Sequence, residues 1–260
     1  MGDERTRPKL VVRDAGKRYG DTVALRGCSF DIPAATVVSI VGPSGCGKTT
    51  LLWSMSGLHH LTDGEVLLDG TRITAPRPEI GLVFQDANLL PWRNLIDNIL
   101  FPFEIKRRKP DREWIDHLLD RVQLKGFEES FPNELSGGMQ QRVSIVRALS
   151  LRPSVLLMDE PFGALDAFTR EEMNRLVEEI WMETRTTIVF ITHSIEEALF
   201  LSDRVVVLTP RPGRVRNEYA IPFARPRTIE IMAGKEAYDL TYRIKADIYA
   251  RDENVPQAAE

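Results

Sequence analysis

The stretch GPSGCGKTT (42–50) limits the possible folds more than any other in this chain. It matches G-x-x-x-x-G-K-[ST], and it stands between the apolar run TVVSIVG (36–42) and the helix-like TLLWSMSGL (50–58). A strand that feeds a glycine-rich turn and then a helix is the setting a polyphosphate-binding loop requires. Gly42, Gly45 and Gly47 let backbone N–H groups wrap the phosphates, Lys48 reaches the β and γ oxygens, and Thr49 is placed to ligate Mg²⁺. Pro43, Ser44, Cys46 and Thr50 complete the binding loop. Cys46 also sits beside Lys48 near a helix N-terminus, a setting that favours thiolate, whereas Cys28 lies in an apolar strand pattern and is expected to be inert.

Four more short apolar runs end in polar residues: EIGLVFQ (79–85), SVLLMDE (154–160), TTIVFITH (186–193) and RVVVLTP (204–210). Near-continuous apolarity marks strands buried on both faces. With helical patterns between them, the runs predict a mostly parallel α/β sheet that binds ligands at its carboxyl edge. The stretch from Lys9 to Ile40, with turns at Tyr19-Gly20-Asp21 and Pro33, predicts antiparallel strands, joined later by GEVLLDG (64–70) as a β layer beside the main sheet. From residue 86 to 151 the helical period dominates, in DREWIDHLLDRVQL (111–124) and MQQRVSIVRAL (139–149), and predicts an inserted helical sub-domain. Within it KRRKP (106–110) reads as a solvated linker, with a face toward lipid headgroups as the alternative. Residues 1–215 form the main domain, and 216–260 form a short tail rich in Pro and Arg with a helical pattern at 236–250.

A chain of 260 residues that is 43% apolar has enough core for this plan, and its net charge of −4 argues against broad attraction to nucleic acid or anionic lipid. No apolar run reaches the roughly 18 residues of a membrane span, and MGDERTRPKL is too charged for a secretory segment. With Cys28 and Cys46 as the only cysteines, nothing suggests a disulfide scaffold, so a reducing compartment is expected.

Asp159 and Glu160 end the run SVLLMDE as one carboxylate for the Mg²⁺ shell and one to polarise water. His193 ends the next run, and Ser194-x-x-Glu197 behind it reads as a capping box. LSGGMQQR (135–142) is a second phosphate-binding turn, with a hydroxyl and adjacent glycines at the positive end of a helix. A chain with two such turns has two sites, or one site that another chain completes.

LSGGMQQR after the phosphate loop and just before VLLMDEP resembles the signature motif of the ATP-binding cassette family. In the same order Tyr19 in KRYG resembles its adenine-stacking aromatic, Gln85 in VFQ its Q-loop glutamine, Gly163-Ala164-Leu165-Asp166 its D-loop, and His193 its switch histidine. The resemblance covers roughly residues 9–215. It implies a P-loop NTPase (RecA-like) fold and a head-to-tail homodimer around two ATP and Mg²⁺. Ser136, Gly137 and Gly138 of one chain would meet the γ-phosphate held by Lys48 of the other. It further implies Glu160 as general base, His193 as γ-phosphate sensor, Gln85 and Asp159 at the metal, and Asp166 at the shared interface. DANLLPWRNLIDNI (86–99) and EEALFLSDRVVVLTPRPGRV (196–215) resemble bacterial importers of nitrate, sulfonates and taurine. The implied partners are a second copy, integral membrane permease subunits and, indirectly, a solute-binding protein, with no nucleic acid. The implied place is the cytoplasmic face of the inner membrane. In NLLPWRNL (88–95) the apolar cluster is either core or a permease docking surface. An exporter or lipid-transport ATPase, which sequence separates poorly from an importer, and a soluble cassette ATPase are the alternatives.

Overall fold

The structure, a computed structural model, describes residues 8–250. The N-terminal segment judged too charged for secretion lies, in its first seven residues, outside that range. β1 (Pro8–Tyr19) and β2 (Thr22–Pro33) pair antiparallel, with Gly20 at φ 55° in the turn that the sequence marks. After β3 (Val37–Val41) and α1 (Lys48–Ser56), β4 (Asp63–Leu68) and β5 (Thr71–Arg72) return to this hairpin and complete a four-stranded layer in the order β2-β1-β4-β5. The antiparallel layer is as expected, except that β3, at the end of the stretch read that way, belongs to the other sheet.

That second sheet takes β6 (Ile80–Val83), β7 (Val155–Asp159), β8 (Thr187–Ile191), β9 (Arg204–Leu208) and β10 (Val215–Ala220) in the order β10-β9-β3-β8-β7-β6. It is parallel apart from the β10 edge. Its inner strands are almost entirely apolar because alternate residues feed different cores. Leu156, Met158, Ile188 and Phe190 face the helices, while Val155, Leu157, Val189 and Ile191 face α1 and the antiparallel layer.

Between β6 and β7 the chain forms α2 (Leu95–Lys106), α3 (Arg112–Arg121) and α4 (Gly137–Leu149). Asn94, Asp111 and Ser136 cap them, each accepting a backbone N–H from the first turn. Leu95, Ile99, Ile115, Val143 and Val146 join Val83 and Met158 in one continuous core, so the helical region is packed onto the sheet as well as inserted in the chain. α5 (Ala167–Thr184) and α6 (Ile195–Leu201) follow β7 and β8.

The sequence sets a boundary at residue 215, and there the structure starts β10, which pairs with β9. Through α7 (Ile229–Met232) the chain reaches α8 (Lys235–Tyr249), whose Leu240 and Ile244 are buried against Leu199, Val205 and Val207. Residues 215–249 therefore form part of the core layer. The signal is weak in sequence because β10 has the pattern VRNEYA, where Tyr219 is buried and its neighbours are not.

Candidate functional site: a phosphate loop at the carboxyl edge of the sheet

The phosphate loop leaves β3 at the carboxyl edge and turns into α1 through Gly47, at φ 104°, where a Cβ would sit 2.8 Å from the Leu25 side chain. Only glycine fits that combination of left-handed backbone and close approach. Lys48 is buried and donates to the carbonyls of Gly42 (3.0 Å) and Pro43 (3.1 Å), so its ammonium folds back over the loop. A cavity of about 340 Å³ opens above it, lined among others by Tyr19, Ser44, Gly45, Lys48, Thr49 and Glu160. Tyr19 is half exposed at the rim, and its hydroxyl is 3.0 Å from His59 Nδ1.

Thr49 donates its hydroxyl to Asp159 Oδ1 at 3.1 Å. Burial, with the Glu160 charge adding to it, pushes the Asp159 carboxyl above its ordinary pKa against the opposing pull of Thr49 and Lys48. A hydroxyl and a desolvated carboxylate beside a phosphate cradle are the hard oxygen donors that Mg²⁺ takes, so the residues fit the ion. Glu160 adopts φ 43°, uncommon for a residue with a side chain, and its N–H donates to Ile191 O at 2.9 Å. Its Oε2 is 3.1 Å from His193 Nδ1, with the carboxylate largely covered and the imidazole exposed. A Cβ placed at Gly163 would lie 3.6 Å from Gln85 Nε2 and 3.9 Å from Glu160 Oε2, so the amide and the carboxylate flank that glycine. Gln85, Asp159, Glu160 and His193 follow the ends of adjacent strands, and Glu160, next to His193, lines the cavity with Lys48.

The structure does not bring the LSGG turn to this cavity. Ser136 caps α4, Gly137 is exposed, and a Cβ at Gly138 would meet Thr169 of α5. Asp166 likewise stays out, capping α5 through Phe168 and Thr169 N–H groups and the Thr169 hydroxyl, and these bonds hold its carboxyl below the usual pKa.

Two sequence readings are corrected. Cys46 is completely buried, and desolvation raises its thiol pKa by more than Lys48 lowers it. Cys46 packs in the core beneath the loop, the setting of an inert thiol. The capping box after His193 is half formed. Ser194 Oγ accepts from Glu197 N, but the Glu197 carboxylate turns to Thr192 Oγ1 at 2.5 Å, and Ser194 N–H finds Thr192 Oγ1 instead. Sequence reasoning missed Arg211, which lines the cavity. Its loop is tied to β2 by Arg26 N–H to Gly213 O and Gly213 N–H to Ala24 O, both 2.9 Å. The cluster RPGR after an apolar strand was the available signal.

A parallel sheet that gathers a phosphate loop, a buried aspartate and a glutamate–histidine pair at one edge defines a P-loop nucleoside triphosphatase. The sequence pattern described as ABC transporter matches residues 25–163. Over 208 residues the chain is 51% identical to the taurine import ATP-binding protein of Roseobacter denitrificans, covering 79% of this chain and 78% of that protein. Over 219 residues it is 42% identical to the aliphatic sulfonates import ATP-binding protein of Bacillus cereus, covering 82% and 86%. A dimeric bacterial ABC transporter cassette superposes with a TM-score of 0.72 at 32% identity, covering 83% of this chain and 100% of that one. The chain belongs to the ABC transporter family and is an ATPase of it, with ATP and Mg²⁺ as its cofactors.

Proposed function

We propose that this chain is the ATP-hydrolysing subunit of a membrane importer for a small sulfonate of the taurine type, and that it works as a head-to-tail dimer on the cytoplasmic face of the membrane. The observation that carries the catalytic reading is the Glu160–His193 pair, 3.1 Å apart at the rim of the cavity above Lys48. Lys48 and the loop N–H groups bind and orient the polyphosphate, while Tyr19 stacks the base. Thr49, Asp159 and Gln85 would hold Mg²⁺, which supplies charge neutralisation when bound. Glu160 accepts a proton from the attacking water, and His193 holds the γ-phosphate oxygens in line. The separation of Ser136 and Gly138 from their own cavity supports completion of each site by the partner's LSGG turn, with Asp166 at the seam.

The helical region 86–151 follows Gln85 directly and is proposed to carry the nucleotide state to permease subunits. Trp92 supports this, because it is 71% exposed at the tip of the loop beside Gln85, whereas Leu89 packs into the core. The taurine-type solute rests on the relatives, since the solute itself is read by other subunits, including a solute-binding protein.

Glu160→Gln tests the site. The amide keeps shape but accepts no proton, so the variant is expected to bind ATP normally, lose nearly all turnover and accumulate an ATP-bound dimer on size-exclusion chromatography. Wild-type hydrolysis by this variant would remove Glu160 from its role. Purification of the membrane complex and uptake of labelled taurine test the solute.

A further inference from the structure

The D-loop and the switch histidine follow different strands, and one largely covered ion pair joins them. Glu197 lies in the first turn of α6 with its side chain 7% exposed. Arg170, in the first turn of α5, places Nε 3.4 Å from Glu197 Oε1 and donates through Nη2 to Leu165 O at 2.8 Å, inside the D-loop. The other carboxylate oxygen of Glu197 accepts from Thr192 Oγ1 at 2.5 Å, and that hydroxyl accepts from Ser194 N at 3.0 Å. Thr192 and Ser194 are the two neighbours of His193, so the Glu197 carboxylate holds the turn that aims the imidazole through Thr192, and Arg170 reaches that carboxylate through charge and not through a hydrogen bond.

The far end of α6 is fixed separately. Arg227 donates to Leu199 O (2.6 Å) and Phe200 O (2.8 Å), and Arg225 donates to Leu201 O. These bonds anchor the last turn of α6, and Glu197 is the side chain that ties its first turn to Arg170 and Thr192. Charge-assisted bonds of this length tolerate little stretch before they break.

We infer that Arg170 and Glu197 are positioning residues: the pair fixes the Thr192–His193–Ser194 turn relative to Leu165, so that a partner chain that presses on the D-loop re-aims His193 at Glu160. This rests on the reading of Glu160 and His193 given above and adds a route by which dimer closure reaches them. The guanidinium serves both contacts along one edge, with Nη2 donating to Leu165 O while Nε lies beside the Glu197 carboxylate.

The full chain with Arg170→Met, Arg170→Lys, Glu197→Gln and the Met/Gln double substitution tests it, with steady-state ATPase, ATP cooperativity and thermal melts on each. The ammonium of Arg170→Lys keeps a positive charge beside Glu197 but cannot also reach Leu165. That variant is therefore expected to melt near the wild type while kcat falls about tenfold, the scale on which small misplacement of a reacting group is felt. KM should stay within about twofold, because the phosphate loop is untouched. Cooperativity in ATP should be lost in all variants, and the double should be no worse than the worse single, because both act on one link. Wild-type kcat and cooperativity in Arg170→Lys would overturn the inference. So would variants that melt earlier while folded chains keep wild-type kcat and cooperativity, since that is a structural ion pair only. A failure of Glu160→Gln to lose turnover would instead strike the reading of the site, and the two outcomes are read in different variants.

Discussion

Among single residues, the buried Asp159 costs the fold stability. Asp159 is 7% exposed, and burial raises its pKa in the folded chain. A carboxyl with a raised folded pKa binds its proton more tightly when folded, so its contribution to stability is present at acid pH and is lost as pH rises through the folded value. Asp159→Asn removes that cost. Nucleotide-free Asp159→Asn is expected to melt about 2 °C higher than wild type at pH 7, with the gain shrinking as pH falls into the carboxylate range. Thermal melts at both pH values check this, and a lower Tm at pH 7 would refute it. The cysteines follow the same logic with a different consequence. Cys46 is raised by burial and Cys28, also buried, is pushed up to about 11. A thiol-disulfide reagent on the native protein should titrate almost no thiol, and both should react once guanidinium is added. Rapid inactivation by maleimide, with protection by ATP, would show that Cys46 is reachable after all.

Among the elements, the loop before α2 divides its apolar residues between two tasks. Asn98, fully buried in α2, accepts from Leu90 N–H at 2.7 Å and donates to the carbonyls of Leu90, Arg93 and Asn94. These bonds hold a loop without secondary structure in one shape, with Leu89 turned in and Trp92 turned out. The sequence left core and docking as alternatives for the cluster as a whole, and the structure packs Leu89 against the core while exposing Trp92. Trp92→Ala is expected to leave Tm and basal ATPase of the isolated subunit nearly unchanged, as an exposed substitution does. It should weaken association with the permease by about 2 kcal/mol if Trp92 is a central anchor. Leu89→Ala should instead lower Tm. Melts of the subunit and pull-down with purified permease separate the two, and a large loss of Tm in Trp92→Ala would end the docking reading.

Over the molecule as a whole, the C-terminal segment closes the sheet. Without β10 the chain would expose the edge of β9, and Tyr219, Ile221, Leu240 and Ile244 would leave a shared core with Leu199, Val205 and Val207. Each such side chain contributes about 2 kcal/mol by burial. Deletion of residues 216–260 is therefore expected to lower Tm by at least about 10 °C and to promote aggregation through the open strand edge. Solubility and melting of the shortened chain check this, and an unchanged melt would show that the segment is an appendage.

The phosphate loop, the strand that ends in Asp159 and Glu160, the strand that ends in His193 and the capped start of α4 are all legible in the bare sequence. Each is a short local pattern in which residue type, spacing and strand or helix period coincide, so no distant contact is needed to recognise it. Folding in three dimensions was needed to turn Cys46 toward the core, to close the cavity with Arg211, to draw Glu197 from its helix cap to Thr192 and Arg170, and to pack β10 and α8 onto the sheet. Apart from the Glu197–Thr192 bond, which spans five residues, those outcomes depend on groups brought together from distant elements, as Arg211 is by the bonds of Gly213 to β2. Burial and pairing of that kind are properties of the packed chain, and no local period encodes them.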